Sequence, residues 1–208
     1  MTAQEAPIRP YHHGDLRRAL VTAATELAAT GGAENVTLRE VARRVGVSAS
    51  AAYRHFPNRE GLLAQVASEA REALARRMIA AAEAAEAGGE GADRAPVDRF
   101  RATGRAYIEF ALDEPGLFEV AFRACPPDLY VPDDPSPYAL LSAELDVLDE
   151  AGLLAVARQG AEVAAWVAVH GAAVLLGDGM LPRSDRDAII AATLEMVGGG
   201  LLGATARA

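Results

Sequence analysis

Between Thr37 and Phe56 the chain has room for two short helices and almost nothing between them, and that spacing constrains the fold more than any other feature. Thr37-Leu38-Arg39-Glu40 reads as a helix start. The Thr37 hydroxyl and the Glu40 carboxylate can each accept a backbone N–H that the first turn leaves free. Leu38, Val41, Ala42 and Val45 form one apolar face, and Gly46 can take the left-handed conformation that stops the helix. Two residues later Ser48 can cap a second helix over Ala49–His55. Helices joined so tightly cross steeply, which needs small residues at the contact and an apolar residue in the turn; Ala42, Gly46 and Val47 fit these places. This is helix-turn-helix spacing. Alanines at 49, 51 and 52 keep the second helix thin enough for a major groove about 12 Å wide, and Ser48, Ser50, Tyr53, Arg54 and His55 are left to face bases or phosphates.

The remaining segments also read as helices, so the expected fold is all-α: a three-helix helix-turn-helix unit followed by a second helical unit. Leu16, Leu20, Ala23, Ala24 and Leu27 form a stripe that ends at Gly31-Gly32. Pro57-Asn58 precedes a long helix from Arg59 to about Ala87, and helical patterns resume over 96–112, 115–123, 137–150, 156–176 and 184–197. The glycine-rich stretch 88–95 reads as a loop, and the five prolines of the stretch from Cys125 through Pro137 forbid helix there. The expected division is 1–60 and 88–208, with the helix 59–87 connecting them. Gly198-Gly-Gly200 is expected to fray the last helix, and without a preceding strand or a following lysine it is no phosphate loop.

The net charge of −9 argues against a nucleic-acid partner only until it is located along the chain. Residues 1–80 carry eleven arginines and eight acids, net +3, and residues 81–208 carry nine arginines and twenty-one acids, net −12. A basic head on an acidic body points to a nucleic-acid module joined to something else. Alanine supplies 47 residues of the apolar fraction, and no run of about 18 apolar residues free of charge is evident, so no membrane span is expected. The N-terminal residues lack the apolar core of a secretion signal, and the single Cys125 fits a reducing cytoplasm. His12, His13 and Asp15 lack the spacing and the fourth ligand of a metal site; a helix-capping, phosphate-facing role suits them better. No cofactor is expected. Neither a Gly-x-Ser-x-Gly elbow nor a His-Glu-x-x-His pair is present, and no histidine lies near Cys125 in sequence, so no catalytic residues are proposed.

The run Thr37…Glu40-Val41-Ala42…Gly46-Val47-Ser48…Tyr53-Arg54-His55-Phe56…Asn58-Arg59-Glu60-Gly61-Leu62-Leu63 resembles the signature of the TetR family of transcriptional regulators over about residues 13–66. Arg59 departs from it, since the family usually has lysine there. The resemblance implies phosphate contacts from Thr37, Tyr53, His55 and Arg59, and base reading by Arg39, Ser50, Ala51 and Arg54. Tyr11 to Arg17 is similar to the start of one subgroup and implies an arm near the DNA backbone. Arg43 and Arg44 are open to either role, DNA contact or a solvated face. The implied function is a cytoplasmic homodimeric repressor that binds a palindromic double-stranded operator and is released by a small-molecule effector. A helical protein–protein adaptor, or a ligand sensor without DNA binding, is the alternative.

Trp166-Val-Ala-Val-His170-Gly171 is similar to a Trp-x-x-x-His-Gly pattern of one class of TetR-type C-terminal domains. Trp166 and His170 share a helix face. They read either as a core tryptophan on a satisfied histidine, with Gly171 allowing a helix to approach, or as the wall of a pocket for an apolar effector. Phe100, Tyr107, Phe110, Phe118 and Phe122 are the further candidates for lining, and Tyr107 for a hydrogen bond. Val156, Val163, Val167, Val174 and Leu175, with Ile189, Ile190, Leu194 and Val197, give 156–176 and 184–197 apolar faces; by resemblance these form the homodimer interface.

Overall fold

The computed structural model describes residues 13–88, 94–124 and 136–203. Tyr11 and His12, the loop residues 89–93, and Cys125 with the prolines up to 135 lie outside them. The described residues are helical, with no strand beyond an isolated bridge between Leu154 and Leu202.

Helix α1 (His13–Gly31) buries Leu20, Ala24 and Ala28 completely. A 3-10 turn at Ala33–Asn35 leads into α2 (Leu38–Val45) and α3 (Ala49–His55). The Thr37 hydroxyl accepts the Glu40 N–H at 3.2 Å, but the reciprocal half of the expected box is missing. The Glu40 carboxylate instead takes two donors from Arg43, at 2.6 and 2.8 Å, because a guanidinium one turn on offers a charged partner. Gly46 stops α2 with φ 79°, and the Val47 N–H returns to the Ala42 carbonyl at 2.9 Å.

Helix α4 (Arg59–Gly88) is 30 residues long, about 45 Å at the usual rise, and enters both halves of the molecule. It packs on α1 at one end and along α5 (Ala95–Asp113) beyond it. Then come α6 (Pro115–Glu119), a π-helical turn (Val120–Ala124), α7 (Pro137–Glu150), α8 (Arg158–Gly177) and α9 (Arg186–Leu201). One contiguous core runs from Leu20 and Val41 through Leu63 and Leu74 to Phe110, Ala173 and Ile190, so no break in packing separates head from body. Ion pairs tie the layers at their edges. Arg99 of α5 pairs with Glu86 of α4 and Glu144 of α7, and Asp113 of α5 accepts from Arg77 of α4 and Arg186 of α9. The Arg77 hydrogen bond, then the one from Arg186, holds the Asp113 carboxyl below its usual range.

Three expectations need correcting. The three glycines do not fray α9, which runs on to Leu201; Leu201 and Leu202 are buried, and the Ala155 N–H donates to the Leu201 carbonyl at 2.8 Å. Ile190, Leu194 and Val197 turn into the protein's own core, so the outward face of α9 carries Met196, 79% exposed, and Ala192 instead. Helix α8 does have the length and composition of a membrane span, with a window of mean hydropathy 1.5, because its alanines and valines outweigh its few polar residues. A third of that window (33%) is buried inside the molecule, and outward it presents Val163, Val167 and Leu175.

Where α6 meets α1 the two backbones nearly touch. A methyl at Gly116 would sit 2.0 Å from the Ala28 carbonyl oxygen, and one at Gly32 would sit 2.2 Å from a carboxylate oxygen of Glu119. Gly116→Ala is therefore expected to lower stability by about 1–3 kcal/mol through forced separation of α6 from α1. Urea unfolding measures it, and an unchanged midpoint would show that the contact has slack.

Candidate functional site

The exposed side of α2 and α3 collects most of the residues singled out for contact with DNA. Thr37, Arg39, Ser48, Ser50, Tyr53 and Arg54 are exposed, and His55 is half-buried. The opposite side of α3, formed by Ala52 and Phe56, is core. Ser48 caps α3 by accepting the Ala51 N–H at 3.2 Å, and its hydroxyl lies 3.1 Å from that of Ser50. Ala51, expected among the base-reading residues, is 8% exposed, so little of its methyl is offered on the outer side of α3. Arg43 is exposed but held by Glu40, and Arg44 lies 3.9 Å from Glu26.

Two arginines hold this surface in place. Arg59, expected at a phosphate, is half-buried, and its Nε donates to the Val36 carbonyl at 2.8 Å while Nη2 donates to the Ala33 carbonyl. These bonds tie the first turn of α4 to the approach to α2. Arg17, the last residue of the run expected to lie near the DNA backbone, donates to the His55 carbonyl at the end of α3 at 3.1 Å and stacks on the Phe56 ring, 4.3 Å from its centroid.

The second site lies in the body. Tyr107, Phe118, Phe122, Trp166 and His170 form one aromatic cluster, in which Trp166 and His170 stack at 5.8 Å with ring planes 9° apart. The Tyr107 Oη lies 2.8 Å from His170 Nδ1, a bond whose direction depends on the imidazole tautomer. Burial pushes the Tyr107 phenol up and the His170 imidazole down, so both are neutral at pH 7. A cavity adjoins the cluster, lined by Phe100, Tyr107 and Trp166 with Met78, Leu141 and Leu194. The space it leaves for a water-sized sphere is about 30 Å³, room for one or two waters. Phe118, Phe122 and His170 do not line it but touch Tyr107 or Trp166, which do. Phe110 is 4% exposed in the main core and neither lines the cavity nor joins the cluster. Gly171 does not receive a neighbouring helix, since nothing lies within 4 Å of a methyl built there. Gly104 does, with Leu194 only 2.8 Å from such a methyl, and its place on the Phe100–Tyr107 stripe was legible as a sign of close approach.

Residues 20–66 match the family model described as bacterial regulatory proteins, tetR family, and residues 100–197 match a tetracyclin repressor-like C-terminal domain. An uncharacterised HTH-type transcriptional regulator of Haemophilus influenzae is 33% identical over 119 residues, 57% of this chain and 54% of its own length, so the chain spans about half of that relative. A protein of unknown function from Rhodococcus sp. RHA1 superposes with a TM-score of 0.75 and 28% identity, covering 94% of this chain and 100% of that one. RolR, solved in complex with the ligand resorcinol, shares the fold at TM-score 0.64 and 21% identity, covering 96% of this chain and 93% of its own.

Two outcomes follow from this geometry. Arg59→Ala should cost about 1–3 kcal/mol in urea unfolding, because it strips two buried carbonyls of a charged donor, whereas Arg54→Ala on the exposed side should stay within about 0.5 kcal/mol. Equal effects would contradict the division of roles. Burial holds the His170 pKa below its ordinary 6.5, so between those two values the unfolded chain binds more protons. The stabilisation from neutral His170 is thus complete above pH 6.5 and declines as the pH falls below it. The urea midpoint of the wild type should fall more between pH 7.5 and 5.5 than that of His170→Gln, and equal falls would contradict the account.

Proposed function

Because the chain belongs to the TetR family of bacterial regulatory proteins, we propose that it is a homodimeric DNA-binding transcriptional regulator, a repressor that a small-molecule effector releases from a palindromic operator. The observation that carries this reading is the exposed surface of α2 and α3, where Arg39, Ser50, Tyr53 and Arg54 face outward from a turn whose other side is core. In this reading residues 1–60 form the DNA-binding unit and 88–208 the effector and dimer unit. Arg39, Ser50 and Arg54 read base edges, while Thr37, Ser48, Tyr53 and His55 hold phosphates; Arg59 positions the unit.

A second copy covers the outward face of α8 and α9. Val163 at 59%, Val167 at 64% and Met196 at 79% exposure are too apolar for a water-facing surface. Lipid is the weaker occupant, since Trp166 and His170 on the same α8 pack inward on α5 and the π turn. Two-fold pairing also sets the separation that two recognition helices need, about 34 Å for successive major grooves.

The effector binds the cavity beside Trp166. The free space there is small, so a ligand must push apart its walls, and Tyr107 and Trp166 pass the displacement to Phe118 and Phe122. Those rings stand on α6, which meets α1 at Gly116 without slack, and on the π turn that follows it. The ligand releases DNA to the extent that it binds the displaced state more tightly.

Duplexes selected for binding should be inverted repeats, with affinity that falls steeply with salt. Arg54→Ala should lose about 1–3 kcal/mol of discrimination at one base pair per half-site. Sedimentation should give twice the chain mass of 21.7 kDa. Salt-independent binding, or no enriched repeat, would favour a helical adaptor instead.

A further inference from the structure

The effector cavity is apolar along nearly all of its lining, and Arg101 is the charged exception. Arg101 belongs to α5, and its guanidinium lies over α9 at Gly198, where a methyl would come within 3.5 Å of Nη2. Gly198 is itself buried, so the glycine provides the flat seat on which the guanidinium rests beside the cavity. Two other polar groups of the lining are already engaged: the Thr103 hydroxyl donates to the Arg99 carbonyl at 2.8 Å, and the Tyr107 hydroxyl is bonded to His170.

The other arginines of α5 have acidic partners. Arg99 is gripped by Glu144 and Glu86, and Arg105 lies 3.6 Å from Glu109. Arg101 makes no hydrogen bond or ion pair among the described residues, although it is half-buried in the acidic half of the chain. A guanidinium partly withdrawn from water, at the edge of an apolar space and in no ion pair, although Glu195 of α9 borders the same outer cleft, can hold an anion at that point. The seat accommodates a planar fork, and a carboxylate matches it with two parallel hydrogen bonds.

We propose that the cavity takes an amphipathic monocarboxylate, with an aromatic ring held among Phe100, Tyr107 and Trp166 and its carboxylate paired with Arg101. This rests on the reading of the cavity as the effector site and replaces a wholly apolar effector with one that carries a negative end. The spare charge of Arg101 then supplies orientation: the ring enters first and the anion stays at the α5–α9 edge.

Trp166 is the chain's one tryptophan and lines the cavity, so its emission reports binding directly. The test titrates full-length protein at pH 7.5 with phenylalkanoates from phenylacetate to 8-phenyloctanoate, each beside its neutral amide, with excitation at 295 nm. The best carboxylate, for example 4-phenylbutyrate, should bind at least about tenfold more tightly than its amide. Arg101→Gln should bring the carboxylate down to the amide's affinity and leave the amide unchanged, and Arg101→Lys should keep part of the preference. Circular-dichroism melting checks that both variants fold as the wild type does. No response to any carboxylate at millimolar concentration overturns the proposal. So does an amide that binds as tightly, or a preference that survives Arg101→Gln. Release of selected DNA is measured separately. Amides that bind and release DNA would keep the regulator and discard the anion; carboxylates that bind through Arg101 without touching DNA affinity would do the reverse.

Discussion

Arg71, in the middle of α4, is 1% exposed and donates from Nη1 to the Ala121 carbonyl at 3.1 Å. A buried guanidinium is costly unless its donors are satisfied, and a π-helical turn, with its shifted hydrogen-bond pattern, can present a carbonyl to an outside donor. The bond joins the helix that supports the DNA-binding head to the turn that carries Phe122. On one side of it α4 packs on α1, and on the other it packs along α5, within the same contiguous core. A rearrangement of the π turn therefore has to move relative to α4 against a charged, desolvated bond, or carry α4 with it.

Both ends of this path are tightly held. At the head, Arg17 fixes the last carbonyl of α3 and Arg59 ties α4 to the carbonyls before α2, so the exposed face of α3 follows α1 and α4 as one piece. In the body, Gly116 lets α6 rest against the Ala28 carbonyl with no room for even a methyl group. The aromatic cluster lies between these contacts and the cavity, and stacked rings transmit displacement because packed interiors are nearly incompressible.

Much of this was legible in the sequence because the signals are local. Thr37, Gly46 and Ser48 act within a few residues of themselves, and the structure uses all three as caps or stops. Alternation of apolar and polar positions likewise placed the long helices. What was not legible depends on tertiary partners. Glu40 turns to Arg43, Arg59 bonds two carbonyls twenty or more residues earlier, and Leu194 points inward to α5. Periodicity identifies an apolar stripe on a helix, but it does not say which of two apolar sides a second chain or the protein's own core will cover. Arg101 was overlooked for a related reason: its significance lies in the pairing it lacks, and only the three-dimensional arrangement of its acidic neighbours reveals that.

In the proposed regulator the α3 surface and the Trp166 cavity are coupled through α4 and α6. Linkage requires reciprocity: if a ligand in the cavity weakens DNA binding, DNA must change the cavity's own affinity by the same factor. The direct measurement is Trp166 emission during titration with a selected operator duplex, with no effector present. A saturable change in emission should follow operator occupancy and be lost in Arg54→Ala at concentrations where that variant no longer binds. Trp166 emission that stays constant while the operator saturates would contradict the coupling.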